Sequence, residues 1–138
     1  MKSFATKKDF IKTFQNKKIA CHSIDSAEAI LNYIDTTDVF AIDEAQFFGT
    51  DIVTICNKLA TMDKVVIISG LDKDFKANPF GEMPNLLSYA DKVTKLKAIC
   101  KKCGEFASFS QRISNHKSQV LIGEAEKYEA RCRKCHKT

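Results

Sequence analysis

The chain has 138 residues, 44% of them hydrophobic, which suits one compact domain or a domain with a small appendage and excludes a disordered chain. Its formal net charge of +5 is mild. No stretch approaches the roughly 18 consecutive apolar residues of a membrane span, and the opening MKSFATKKDF lacks the apolar core of a secretory signal, so a cytoplasmic location is expected.

Residues 1 to 17 are weakly patterned, although Phe10, Ile11 and Phe14 permit an amphipathic helix. Beyond them, strand and helix patterns alternate, which predicts a parallel sheet covered by helices on both faces. Lys18 to Ser23 reads as a short strand. Asp25, with Glu28 three residues on, can cap a helix running to about Tyr33. Val39 to Asp43 is the second strand, an apolar run that ends in the adjacent acids Asp43 and Glu44.

Thr50 can cap the next helix, in which Ile52, Ile55, Cys56 and Leu59 share one face. Lys64 to Ser69 is the third strand. The stretch from Gly70 to Met83 has neither helical nor strand period, and reads as a functional loop at a strand's C-terminal end. Pro84 suits the first turn of a short helix to about Ala90, and Lys92 to Ala98 alternates as a further strand. From Cys100 on, short β-like pieces lie between cysteine pairs. The expected organisation is an α/β domain over 1–99 and a smaller subdomain over 100–138.

Cys100 and Cys103, and Cys132 and Cys135, are two C-x-x-C pairs separated by the 28 residues from Gly104 to Arg131. This is the spacing of a closed four-sulfur zinc site that holds structure without doing chemistry; redox-active dithiols are the alternative. His136 adjoins Cys135 and is a substitute ligand, although the x-x spacing favours Cys135. Zinc bound by four thiolates would lower the net charge of +5 by two, to +3. Cys21 and Cys56 fall in apolar segments and read as ordinary thiols. Lysines and arginines near the N-terminus and around the cysteine pairs read as solvated surface, with attraction of polyphosphate or nucleic acid as the alternative.

An acidic pair at a strand end is often only the start of a loop. Here the apolar run before it, Gln46 two residues on, and the Phe- and Lys-rich loop after the neighbouring strand favour phosphoryl transfer. Asp43 would reach a magnesium shell and Glu44 would take a proton from an attacking hydroxyl. Phe47, Phe48, Phe75 and Phe80 serve either as core or as a stacking pocket for a flat heterocycle. His22 and His116 have no partner at metal spacing.

Taken in order, AIDEAQFF, SGLDKDFKANPFGEMPNLL, VTKLKAICKKCG, SQR, IGEAEKYEARC and CRKCH resemble the type II, zinc-containing thymidine kinases from about Lys18 to the C-terminus. The resemblance implies a P-loop-kinase-like α/β fold with a zinc-bearing lasso subdomain. It also implies transfer of the ATP γ-phosphate to the 5′-hydroxyl of thymidine, dTTP as a further ligand, and a cytosolic homotetramer. Glu44 would be the general base, and Asp43, Glu44 itself, Ala45, Gln46 and Arg112 would lie near magnesium and the phosphates. Phe47, Leu71, Phe75 and Phe80 would wall the thymine pocket. Main-chain groups at Gln119, Val120, Leu121, Ile122 and Gly123 would recognise the base, and Tyr128 would reach the sugar.

Members of that family begin with a strand, a glycine-rich phosphate loop ending in Lys-Thr or Lys-Ser, and a helix. The first glycine here is Gly49, so the sequence predicts that this block is absent and that the acidic strand has an unpaired edge or a repacked gap. Without that block a kinase of this family is expected to be inactive alone and to take ATP only if a phosphate loop is supplied, and two further readings follow for such a chain: a non-catalytic thymidine or dTTP binder, and a zinc-ribbon module for nucleic acid or a protein partner.

Overall fold

The computed structural model describes residues 10–12, 18–113 and 127–137. It divides into two compact units, Met1–Gly70 and Leu71–Thr138. The architecture is mixed α/β, with a parallel strand pair and helices in the first unit and short antiparallel hairpins around a cysteine cluster in the second.

In the first unit, β1 (Phe10–Lys12) and β2 (Lys18–Ala20) form an antiparallel pair with Phe10 opposite Ala20. This corrects two expectations. Phe10 and Ile11 belong to a strand, the state that aromatic and β-branched residues favour once a partner is at hand, and not to a helix. The strand expected over 18–23 stops at Ala20 and pairs with β1, outside the parallel sheet. A 3₁₀ helix follows over Ala27–Tyr33, with Ser26, not Asp25, at its N-cap and no side-chain capping bond.

β3 (Val39–Ile42) and β4 (Val65–Ile68) run parallel in the register Val39↔Val65 and Ile42↔Ile68. Between them α1 (Asp51–Thr61) buries Ile52, Ile55, Cys56 and Leu59, the four positions its sequence period selects, and packs on the 3₁₀ helix and β4. Thr50 stands at its N-cap in helical conformation, without a side-chain bond. Burial pushes the Cys56 thiol up to about 11, so it behaves as a small core hydrophobe.

Among the described residues β3 and β4 pair only with each other. Phe40 and Ile42 are buried, whereas Val39, Val65 and Ile67 are 53%, 54% and 56% exposed. Parallel strands are ordinarily covered on both faces; here Val39, Val65 and Ile67 leave one face of the pair open among the described residues.

The second unit begins with the loop Leu71–Glu82, tied by the bridge Lys73↔Pro79, and continues into α2 (Met83–Tyr89), which carries Pro84 in its first turn. The strand expected over 92–98 does not form. Val93 and Leu96 are exposed, Lys95 reaches back to Asp72 at 3.0 Å, and pairing starts only at Ala98, where a partner strand is available. β5 (Ala98–Ile99) pairs with β6 (Phe106–Ala107), and β7 (Phe109–Arg112) pairs with β8 (Tyr128–Arg131), both antiparallel.

The contrast between core and open face sets a stability test. Leu59→Ala, at a fully buried site, should cost about 2–5 kcal/mol, whereas Ile67→Ser should stay within about 0.5 kcal/mol. Urea unfolding followed by circular dichroism measures both; an equal cost would refute the exposed face.

Candidate active site and metal centre

The first centre is built by the parallel register. Because Ile42 stands beside Ile68, the residues just past each strand also meet: Ser69 N donates to Ile42 O at 2.9 Å, and Ala45 N donates to Ser69 O at 3.0 Å. The Asp43 carboxylate accepts from the Glu44 amide at 3.0 Å and from the Ser69 hydroxyl. Glu44 has φ 55° and ψ 40°, a left-handed conformation that an L-residue adopts at a cost of roughly 1–2 kcal/mol. That turn starts the 3₁₀ segment Ala45–Phe47 and brings the Glu44 carboxylate to the Gln46 amide, which donates to it.

Gln46 and Ala45 are buried, whereas both acids are exposed. The arrangement presents two carboxylates to solvent, one steadied by a hydroxyl and an amide, the other by a carboxamide. Ser69 was not singled out in the sequence. Its signal is positional, since it follows the last residue of a strand in register with the acidic one. Phe47, in the same unit, is half-buried.

The metal centre lies in the second unit. The sulfur atoms of Cys100, Cys103, Cys132 and Cys135 all lie within 4.8 Å of one another, and Cys103 Sγ is 3.6 Å from Cys132 Sγ. A tetrahedral zinc with Zn–S bonds near 2.3 Å separates its sulfurs by about 3.8 Å, so this donor set fits the ion. Cys100 and Cys132 are buried with Ala107, and Ala130 and Cys135 pack on them. In the first knuckle Gly104 takes φ +78° and its amide returns to Cys100 O at 2.9 Å; a side chain would be strained at that φ. In the second, the amides of Cys135 and His136 both return to Cys132 O. Lys101 N donates to Ala130 O at 3.0 Å and ties the knuckles together.

The sulfurs are not equivalent as proton carriers. Burial works against ionising Cys100, but backbone hydrogen bonds from Cys132, Lys102 and Cys103 outweigh it and draw that thiol down to about 6. Cys135 is pushed up to about 12, first by its hydrogen bond to Cys103 and then by burial. Such a set shares protons until a cation displaces them. His136 stands outside the cluster, with its Nε2 2.9 Å from Phe75 O.

A third group adjoins this centre in the same unit. Arg112 and Tyr128 face each other across β7 and β8, and Arg112 Nη2 donates to the Tyr128 hydroxyl at 2.6 Å. The buried Arg112 guanidinium also lies 3.7 Å from the centre of the Phe75 ring, within cation–π range. Phe75 is carried by a loop that Asp74 organises: its Oδ1 accepts from the amides of Lys76 and Asn78, each at 2.9 Å. The carboxylate thereby closes an Asx-type turn, inside which Ala77 takes φ 66°. Phe80 is half-buried in this unit and Leu71 is exposed. Gln119, Val120, Leu121, Ile122 and Gly123, together with His116, lie outside the described residues.

A family model described as thymidine kinase matches residues 4–136. This chain belongs to the thymidine kinase family. A thymidine kinase of Bacteroides thetaiotaomicron is 51% identical over 118 residues, which cover 86% of this chain and 59% of that relative. One from Bacteroides fragilis is 49% identical over 121 residues, or 88% and 61% of the two chains. One from a Rhodothermus species is 46% identical over 112 residues, or 81% and 53%. The chain thus spans somewhat over half the length of these relatives. The four-cysteine group agrees with the zinc-containing type II branch that the sequence resembles, and no helix among the described residues is long and apolar enough to cross a membrane.

For this member of the family the sulfur cluster sets a direct test. Cys100→Ser or Cys132→Ser should abolish binding of one zinc per chain and loosen the strand pairs of residues 98–112 and 128–131, whereas Cys56→Ser should retain the metal. Elemental analysis with limited proteolysis reads both; zinc-free wild-type protein would refute the assignment.

Proposed function

We propose that the protein acts as a thymidine kinase, transferring the γ-phosphate of ATP to the 5′-hydroxyl of thymidine, and that this chain carries its proton acceptor and its nucleoside-binding parts. The observation that supports this most is the pair Asp43–Glu44 at the C-terminal end of a parallel strand, in a chain 46–51% identical to thymidine kinases over more than four-fifths of its length. Open α/β sheets bind ligands at that end of the strands.

In this reading Glu44 takes the proton of the 5′-hydroxyl. Its left-handed backbone and the Gln46 amide fix the direction of the carboxylate, as a general base requires. Asp43 and Gln46 face the metal and phosphates, with Ala45 holding the turn through its bond to Ser69. The Asp43 carboxylate and Ser69 hydroxyl form an all-oxygen pair suited to a hard cation such as magnesium, whose contribution is to neutralise charge on the phosphates. Arg112 holds Phe75 and Tyr128 in place and adds positive charge near the phosphates.

Phe47, Leu71, Phe75 and Phe80 wall the thymine pocket, Tyr128 reaches the sugar, and main-chain groups of residues 119–123 read the base. Zinc at the four cysteines is structural. A homotetramer in the cytoplasm, with dTTP as a second ligand of the thymidine pocket, completes the reading.

Phosphorylation of labelled thymidine in the presence of ATP and magnesium tests it. Glu44→Gln should lower kcat by about 10²- to 10⁴-fold, the usual worth of a positioned base, with the melting temperature little changed. Turnover indifferent to that substitution would reject Glu44 as the base. Thymidine alone should raise the melting temperature of the wild type by mass action on the folded state, and a flat response at millimolar thymidine would argue against the pocket.

A further inference from the structure

His136 follows the last cysteine of the metal cluster, and its side chain is fixed from several sides. Its backbone amide donates to Cys132 O at 2.9 Å, so the second knuckle sets the position of its Cα. The imidazole stacks on Phe109, with ring centres 4.9 Å apart and planes inclined by 28°. The next residue is pinned as well, because Lys137 N donates to Gln111 Oε1 at 2.7 Å. The ring therefore has little freedom to turn.

Held in this way, Nε2 lies 2.9 Å from the main-chain oxygen of Phe75, sixty-one positions away in sequence. A carbonyl oxygen can only accept, so the imidazole donates through Nε2. The loop at the other end of this bond is closed on itself by Asp74 and by the Lys73↔Pro79 bridge. Such a loop is braced from within, and the bond at Phe75 O ties its tip to the second knuckle, while the Lys95–Asp72 ion pair holds its start. The Phe75 ring in turn seats the Arg112 guanidinium, which bonds to the Tyr128 hydroxyl.

The geometry points to His136 as a positioning residue, the link through which the four-sulfur cluster holds the Phe75 wall of the nucleoside pocket. The inference rests on the assignment of Phe75 and Tyr128 to nucleoside binding made above. It gives the metal site a task beyond closing the hairpins. The knuckle anchors a donor, the donor anchors a loop, and the loop presents an aromatic face backed by Arg112. The second C-x-x-C pair and the residue after it thereby act on substrate affinity without touching substrate.

Two substitutions separate the ring from its donor. His136→Phe keeps an aromatic to stack on Phe109 but has no N–H, whereas His136→Gln places an amide nitrogen close to where Nε2 stood and keeps a donor. In the full chain with zinc bound, hydrogen–deuterium exchange should quicken at residues 74–78 in His136→Phe by about three- to tenfold, the worth of one neutral hydrogen bond. His136→Gln should return most of that protection. The KM for thymidine should rise in His136→Phe by a similar factor, with kcat nearly unchanged. Zinc content should stay at one per chain in both variants.

Loop exchange as slow in His136→Phe as in the wild type, or as fast in His136→Gln as in His136→Phe, would overturn the inference. So would loss of zinc from His136→Phe, which would make the residue a metal ligand. If the wild type neither binds nor phosphorylates thymidine, the assigned function fails, while the exchange experiment still decides whether His136 holds the loop.

Discussion

Strands of two to four residues do not hold together by their own ladders, yet β5 to β8 are all that short. What gathers them is the convergence of four cysteine sulfurs within 4.8 Å at the ends of two hairpins. The small core there consists of Cys100, Ala107 and Cys132, so the ligands themselves are most of what is buried. A metal that binds the folded arrangement and not the open chain adds its binding free energy to the fold. The turn at Gly104, the tie from Lys101 to Ala130 and the placement of His136 all take their geometry from that cluster. Through the β7–β8 register the same constraint sets Arg112 opposite Tyr128.

The first unit is organised by a different means. A helix with one apolar face, α1, covers a parallel pair, and the register of that pair decides where the two acids sit. The acids lie past the end of β3 because the buried run stops at Ile42. They stand beside Ser69 because β4 stops one residue short of it. Glu44 then adopts a left-handed conformation that costs energy, and such strain concentrates at functional positions.

Much of this was readable from residue order. The period of Ile52, Ile55, Cys56 and Leu59 names the buried face of α1, and the apolar runs at 39–42 and 65–68 name the strands. Two C-x-x-C pairs name the sulfur cluster. Features that depend on a partner far along the chain were not readable. Alternation over 92–98 resembles a strand, but a strand exists only where another supplies its hydrogen bonds, and none does before Ala98. Phe10 and Ile11 fit a helical stripe equally well, and pairing with 18–20 decides otherwise. Ser69 carries no motif of its own, and the place of His136 in CRKCH marks it as a substitute ligand without revealing its contact with Phe75. Each is set by placement, the one through strand register, the other through a knuckle turn that brings its ring to Phe75 O.

The cysteine cluster, with a metal bound, would organise the described residues of the second unit down to the Phe75 loop. Adding zinc to metal-free protein while recording amide nuclear magnetic resonance spectra tests it most directly. The account predicts that without zinc the amides of residues 98–112 and 128–136 collapse to unfolded positions while those of α1 stay dispersed, and that one equivalent of zinc restores the former together with residues 74–78. Dispersed, zinc-insensitive signals from the second unit would contradict it.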